Sequence, residues 1–180
     1  YDKRADYSQK AVNELLQKTG CSSDKPVCDI GAGTGKLSKM LLNFGLTVHA
    51  VEPNDNMKKY GIENTKNKSI FWSEGTGENT GLDDSSLYAA FFGSSFNVVN
   101  QPMALKEVSR ILVPGGWFGC MWNHRDIEDS LQKEIENIIN SFLPNYDYGL
   151  RRQNPTSVIS DSGLFSEVIY VEEKFNVSMK

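Results

Sequence analysis

The sequence has no long apolar run and no excess of positive charge. None of its hydrophobic stretches approaches the roughly 20 residues that a membrane-spanning helix needs. With 23 acidic against 19 basic side chains, the formal net charge is -4, so the basic surface that nucleic acid attracts is missing. We therefore expect neither a membrane nor a nucleic acid as a partner.

Cysteine is also scarce. The three cysteines, Cys21, Cys28 and Cys120, are odd in number and widely spaced, which suits neither a disulfide framework nor a zinc site. This usage is typical of a reducing compartment, and we expect a cytoplasmic protein without a bound metal. The chain starts at Tyr1 rather than methionine and has no secretory segment, which indicates processing or a part of a longer chain.

Hydrophobic patterning alternates between helix and strand along the 180 residues. Short apolar runs predict strands at 27–30, 47–51, 69–73, 87–92 and 117–122, with a last strand beginning at 168–171. A sharp turn is expected at 114–116, and a short helix at 57–61. Strands that alternate with helices predict an α/β layered fold with a largely parallel sheet, and ligands bind such sheets beyond the carboxyl ends of the strands.

Three glycines, Gly31, Gly33 and Gly35, form the strongest local signal, because they follow a predicted strand and precede a predicted helix. A phosphate-binding loop of the G-x-x-x-x-G-K-[ST] type does not fit this spacing. Its first glycine would fall on Ile30 and its Ser or Thr on Leu37, so the hydroxyl that binds magnesium is absent.

A dinucleotide loop of the G-x-G-x-x-G type fits poorly as well. Counted from Gly31, the third glycine falls on Lys36, and counted from Gly33 it falls on Ser38. An NAD(P)-binding oxidoreductase therefore stays as an alternative that this spacing does not favour.

Two acids accompany the glycines. Asp29 stands beside the loop, and Glu52 closes the next predicted strand, where a carboxylate can accept both hydroxyls of a ribose. The charge of Asp29 disfavours a pyrophosphate and suits a ligand that carries an ammonium and a sulfonium group.

Residues 27–37 together with 51–53 resemble the S-adenosylmethionine site of the class I methyltransferases. Residues 77–79 before the turn at 82–86, and residues 107–116, resemble segments of the small-molecule subgroup known as methyltransferase type 11. That subgroup includes ubiquinone-biosynthesis-type and trans-aconitate-type enzymes. The resemblance covers roughly residues 1–125 and implies a Rossmann-like, doubly wound sheet with helices on both faces. It also implies S-adenosylmethionine as cofactor and S-adenosylhomocysteine as product.

The same resemblance implies cofactor contacts at matching positions, grouped by the part of the ligand that they would meet. For the methionine part these are Gly31, Ala32, Gly33, Gly35, Ser94 and, at its amino group, Asp29. For the ribose and the adenine they are Glu52, Pro53, Met57, Gly77 and Glu78. An N-terminal lid over the cofactor would contain Tyr1, Arg4 and Tyr7.

Methyl transfer needs a base only when the acceptor must lose a proton. His124, directly after the fifth predicted strand, is the catalytic candidate, with a capping or hydrogen-bonding role near the next helix as its alternative. Asp126 or Asp129 is expected to cap that helix. Residues 95–97 replace the aromatic or histidine pair that is common after strand four in the subgroup, so the resemblance does not transfer a substrate.

The sequence thus predicts S-adenosylmethionine-dependent methyl transfer to a small-molecule acceptor. A non-catalytic methyltransferase-like module is the second alternative, beside the oxidoreductase. We expect residues 1–180 to form a single cofactor-binding domain whose acceptor-covering C-terminal part is shortened or absent.

Overall fold

Five parallel strands form the centre of the part of the chain that this computed structural model describes, residues 4–66, 68–144, 146 and 154–176. The strands are β1 (Val27–Ile30), β2 (Val48–Val51), β3 (Ile70–Ser73), β4 (Leu87–Gly93) and β5 (Leu112–Met121). The α-helices are α1 (Gln9–Thr19), α2 (Lys36–Asn43), α3 (Asp55–Asn64), α4 (Gln101–Ile111), α5 (Ser130–Phe142) and α6 (Thr156–Asp161). A short 3₁₀ helix covers Phe96–Val98.

The strand order is β3-β2-β1-β4-β5, so the chain winds outward from β1 in one direction and then returns to the other side of β1. Loops that leave β1 and β4 therefore turn to opposite faces of the sheet, and a crevice opens between them. This topology confirms the predicted doubly wound, mostly parallel α/β fold. It also places the candidate site at the carboxyl ends of β1, β2 and β4.

Helices bury both faces of the sheet. On one face, Leu105 and Val108 of α4 pack with Phe92 and Phe96. On the other face, residues of α1 and α2 such as Leu16 and Leu41 pack against β1, β2 and β4. Because both faces of β1 are covered, all four of its residues are buried, which explains its continuous apolar run.

Trp72 on β3 sets the distance between α3 and the glycine loop. A Cβ atom at Gly61 of α3 would lie 2.1 Å from the Trp72 ring, and one at Gly35 would lie 3.2 Å from it. The Trp72 indole also donates a 3.0 Å hydrogen bond to Thr65. α3 is longer than the predicted short helix, because the side chain of Asn54 accepts from the Met57 amide and starts it earlier.

The loop between β3 and β4 has no helix of its own and is held by Glu107 of α4. One oxygen of this buried carboxylate accepts from the Thr80 amide at 2.8 Å and from the Thr80 hydroxyl at 2.6 Å. Arg110 donates to both Glu107 oxygens and to the Leu82 carbonyl, and forms an ion pair with Asp84. These hydrogen bonds, that from Arg110 above all, lower the pKa of Glu107 to about 2.

β5 begins five residues earlier than predicted. Residues 114–116 do not form a turn ahead of the strand but interrupt its pairing, since Leu87 pairs with Leu112 while Ala89 pairs with Trp117. Gly115, with φ of +78°, supplies the left-handed backbone of this bulge.

The prediction of a strand from residue 168 is wrong, because residues 168–171 form no strand in the structure. Val168 and Tyr170 are 53% and 71% exposed, so this segment buries no apolar face that would stabilise pairing. Ion pairs of its continuation, Lys10 with Glu173 and Lys174 with Asp126, connect it to α1 and to the segment after β5.

Within the described ranges, no helix combines the length and the apolar character that crossing a bilayer requires.

Gly61→Ala should destabilise the fold, although alanine is normally favoured over glycine in a helix by about 1 kcal/mol. The added methyl group would overlap the Trp72 ring, and overpacking of this kind costs about 1–3 kcal/mol. The free energy of unfolding in urea measures the effect. Trp72→Leu in the same chain should relieve part of the loss, and a stabilised Gly61→Ala protein would contradict the packing described for Trp72.

Glu107→Gln should lower the free energy of unfolding at neutral pH by about 2–3 kcal/mol, since hydrogen bonds to a charged partner are lost. The folded-state pKa of about 2 lies below the ordinary value of 4.5, so the stabilisation is complete above pH 4.5 and declines as pH falls toward 2. Urea unfolding at several pH values should show a shallower acid decline in the variant. Asp84→Asn, which changes the exposed partner of Arg110, is the control and should have little effect.

Candidate functional site

A cleft of about 300 Å³ lies at the carboxyl ends of β1, β2 and β4. Gly31, Glu52 and Pro53, which follow β1 and β2, line one side of it. Residues 76–78, from the loop after β3, line another side. The cleft therefore lies where the strand order reverses, the place where open α/β sheets bind their ligands.

The glycine loop needs its glycines for backbone conformation. Gly31, Gly33 and Gly35 have φ angles of +69°, +60° and +80°, a region that other residues rarely adopt. A Cβ atom at Gly31 would also lie 2.7 Å from the Cβ of Ser95. Ala32 between them is buried. The loop thus lies directly against the segment that follows β4, and it ends in α2, with Gly35 as the N-cap residue.

Glu52 is 5% exposed and is fixed by two backbone amides. Its Oε2 accepts from the Gly33 amide at 2.7 Å, and its Oε1 accepts from the Asn54 amide at 2.9 Å. Each carboxylate oxygen has a further lone pair, so the group can accept additional hydrogen bonds from a ligand in the cleft.

Asp29 is 1% exposed and incompletely bonded. Its Oδ2 accepts from the Ser38 hydroxyl at 2.6 Å, whereas its buried Oδ1 has no hydrogen-bond partner in the structure as described. Burial raises the pKa of Asp29 to about 6, the Ser38 hydrogen bonds oppose the rise, and the nearby charge of Glu52 adds to it. An unpartnered buried acceptor is costly unless a donor reaches it, and a ligand ammonium group is such a donor.

Gly77 and Glu78 lie in the loop after β3. A Cβ atom at Gly77 would lie 2.8 Å from Val99 and 3.2 Å from Phe92, so only glycine fits there without rearrangement. Glu78 accepts from the Asn100 amide at 2.6 Å, which lowers the pKa of its carboxyl. Glu78 thereby ties the loop to the start of α4.

Pro53 and Met57 differ in their positions. Pro53 lines the cleft directly after β2, whereas Met57 lies in the first turn of α3 and does not belong to the cleft lining found in the structure as described.

Two of the three expected lid residues, Arg4 and Tyr7, lie within the described part of the chain. The Tyr7 hydroxyl lies 3.0 Å from the Ser94 hydroxyl, and Ser94 has a left-handed backbone with φ of +59°. Arg4 is exposed, and its carbonyl accepts from the ammonium group of Lys36. Tyr1 lies outside the described residues.

The segment after β5 contains the catalytic candidate. His124 is exposed and lies outside the described lining of the cleft, between β5 and α5. Asp129 is the cap of α5, because its side chain accepts from the Gln132 amide at 3.0 Å, while Asp126 pairs with Lys174. Arg125 forms an ion pair with Glu136.

Sequence reasoning missed part of the cleft and the contacts of two residues near it, Ser95 and Asn123. Val98 and Val99 reach the cleft through the 3₁₀ helix, whose three residues are too few for a periodic pattern. Ser95 donates to the Ile30 carbonyl at 2.7 Å and joins β1 to the segment after β4. Asn123 donates to two carbonyls of the N-terminal segment, an arrangement that only the fold creates.

Comparison with known proteins adds the family. A family model described as "Methyltransferase domain" matches residues 28–120. An uncharacterized methyltransferase of Mycobacterium tuberculosis is 35% identical over 136 residues, which are 76% of this chain and 54% of that protein. The chain therefore spans about half the length of the first curated relatives that it matches.

A second relative is named ubiquinone/menaquinone biosynthesis C-methyltransferase, from Caulobacter vibrioides. It is 29% identical over 154 residues, covering 76% of this chain and 61% of that protein. Among solved structures, an S-adenosyl-L-methionine-dependent methyltransferase by name, from Methanococcus maripaludis, aligns with a TM-score of 0.67. It is 21% identical and covers 88% of this chain and 74% of its own, a likeness of fold. Since the family model covers more than half of the 180 residues, the chain belongs to the methyltransferase-domain family of class I, S-adenosylmethionine-dependent methyltransferases.

Proposed function

We propose that this chain binds S-adenosylmethionine in the cleft and supports methyl transfer to a small-molecule acceptor. The observation that carries the proposal is the unpartnered, buried Oδ1 of Asp29 beside the glycine loop and Glu52. Phosphate and pyrophosphate ligands would be repelled by these two acids, whereas a ligand with an ammonium and a ribose satisfies both.

When bound, S-adenosylmethionine supplies an electrophilic methyl group on a sulfonium. In this proposal Asp29 accepts from the ligand's amino group, and Glu52 accepts from the ribose hydroxyls. Around the methionine part lie the backbone at 31–35, Ser94 and the lid residues, which are Tyr1, Arg4 and Tyr7. Around the adenine lie Pro53, Met57, Gly77 and Glu78.

The chain's contribution to the reaction is orientation and exclusion of water, which together account for much of the rate in a displacement of this type. His124 is proposed as the base for acceptors that must lose a proton, since its position after β5 is at the same end of the sheet as Ser94. The surplus of acidic residues supports a small molecule over a nucleic acid.

Two further parts of the proposal concern the whole chain. We propose that residues 1–180 act as a single cofactor-binding domain. The cysteines Cys21, Cys28 and Cys120 support a cytoplasmic location, because all three are free thiols and unpaired cysteines are typical of a reducing compartment.

Calorimetry with S-adenosylhomocysteine and with NAD tests the ligand class. We expect micromolar binding of S-adenosylhomocysteine and no heat of binding with NAD. Binding of NAD alone would replace the proposal by an oxidoreductase. Binding of neither ligand would leave a methyltransferase-like module without cofactor.

Glu52→Ala should weaken S-adenosylhomocysteine binding by at least about tenfold, because a buried acceptor of ribose hydroxyls is removed. Titration calorimetry measures the affinity, and thermal unfolding checks that the variant keeps its fold. Glu63→Ala, an exposed carboxylate of α3 paired with Lys66, is the matched control and should bind as the unmodified protein does. Equal affinity of the Glu52 and Glu63 variants would refute the ribose assignment.

Binding of S-adenosylhomocysteine should tighten as pH rises through about 6, because the ligand's ammonium group favours the charged form of Asp29. The gain should approach about tenfold per pH unit below that value and level off above it. The stability of the unliganded protein should change in the opposite direction. Because the pKa of Asp29 is raised from 3.8 to about 6 in the folded state, the free energy of unfolding should fall as pH rises from 3.8 to about 6.

Asp29→Asn is the variant that isolates this effect. It should bind more weakly at pH near 7.5 and lose most of the pH dependence, as measured by calorimetry across about pH 5 to 7.5. A full pH dependence in this variant would show that another group is responsible.

A further inference from the structure

The segment of residues 4–7 lies beside the carboxyl end of β4 and is held from two sides. On one side lies Lys36, the first residue of α2, whose ammonium group donates to the Arg4 carbonyl and, at 3.1 Å, to Asp6. On the other side lies Asn123, two residues beyond the end of β5. The segment therefore joins the end of the glycine loop to the segment that follows β5.

The contact of Asn123 is with backbone and uses the whole donor capacity of its amide. Its Nδ2 donates to the Ala5 carbonyl at 3.2 Å and to the Asp6 carbonyl at 3.0 Å. A primary amide has two N–H donors, and here two consecutive carbonyls accept them. The arrangement fixes both the position and the direction of the segment, whatever side chains it carries.

Just beyond this contact, the segment places Tyr7 at the site. The Tyr7 hydroxyl lies 3.0 Å from the Ser94 hydroxyl, and a Cβ atom at Gly93 would lie 2.9 Å from it. The Tyr7 hydroxyl can come this close because Gly93 has no side chain. Tyr7 also packs against the core beneath α1 and α2. A shift of residues 5 and 6 would therefore move the hydroxyl away from the end of β4.

We propose that Asn123 is a positioning residue, which holds residues 4–7 beside the end of β4 and thereby sets the rate at which the cofactor leaves. The inference rests on the proposed function, because it takes the ligand to be S-adenosylmethionine or S-adenosylhomocysteine. Asn123 acts through the backbone at 5–6 and through Tyr7, and it does not touch the ligand. Its effect belongs to dissociation, because in the proposed complex the methionine part of the cofactor lies beside Tyr7 and Ser94, and the segment would have to move aside before the ligand is released.

The contact between Lys36 and this segment is sensitive to salt in part. The ion pair of Lys36 with Asp6 is at the surface, where the Asp6 side chain is 75% exposed, so the attraction is weak and is screened by salt. The neutral contact of Asn123 is not screened in this way. Cofactor retention should therefore persist at high ionic strength.

The test measures S-adenosylhomocysteine dissociation by stopped flow on the full chain and on three variants. Asn123→Ala removes both donors, and dissociation should become about tenfold faster, the change expected for two ordinary hydrogen bonds. Asn123→Asp keeps the shape of the side chain but turns a carboxylate toward two carbonyl oxygens, which repel it. The ligand should therefore dissociate from this variant faster still. Asn140→Ala, an exposed asparagine on α5, is the matched control and should leave the rate unchanged.

Two readouts separate positioning from a loss of structure. The melting temperature and the association rate should stay within error in all three variants, since Asn123 is exposed. Amide hydrogen exchange over residues 5–9 should become faster in the Asn123 variants and stay the same elsewhere in the chain. A merely structural role would instead lower the melting temperature. In that case Asn123→Ala and Asn123→Asp would change the dissociation rate by nearly the same factor.

The outcomes distinguish this inference from the proposed function. If the unmodified protein does not bind S-adenosylhomocysteine, the proposed function fails and this inference fails with it. If it binds and the Asn123 variants release the ligand at an unchanged rate, only the inference is overturned. Release from the unmodified protein that becomes markedly faster as the salt concentration rises would transfer the role to Lys36 and would also overturn the inference.

Discussion

The carboxylate of Asp29, buried at the end of the central strand, is the constraint on which the site depends. A charge in that position is expensive, because the sheet is covered on both faces and Asp29 is only 1% exposed. Ser38 satisfies one oxygen and leaves the other without a donor. Burial raises the pKa of this carboxyl to about 6, so its charged form is disfavoured in the unliganded protein. Under the proposed function, the ammonium group of the ligand would supply the donor that Oδ1 lacks.

Around that acid, loops without regular structure are fixed by carboxylates that accept backbone amides. Glu52 holds the glycine loop, Glu78 holds the start of α4, and Glu107 holds the loop after β3. Each of these acids joins two segments that are distant in sequence. Together they give the cleft fixed walls even though few of its residues belong to helices or strands, which is what a site that orients a reactive group requires.

The sequence predicts the parts of this structure that depend on local rules. The run at β1 is apolar because both faces of the strand are buried, and the glycines of the loop are recognisable because their backbone angles are positive. The start of β5 depends instead on pairing with β4, and a strand from Val168 is absent because that segment buries no apolar face; the local pattern reveals neither. The role of Asn123 could not be predicted, because its partners are backbone carbonyls more than 100 positions away in the sequence. Every residue has such a carbonyl, so the identity of the partner residues carries no signal. Asp29 and Glu52 lie where the acidic pattern indicated, although no pattern reveals which oxygen lacks a donor.

The position of Trp72 has a spectroscopic consequence. Its indole lies against both α3 and Gly35, whereas the other two tryptophans, Trp117 and Trp122, lie on or just after β5. One of the chain's three tryptophans therefore lies against the glycine loop, and we expect its emission to respond to how closely that loop is packed. The protein therefore carries an intrinsic optical probe of its glycine loop, and no dye has to be attached to observe it.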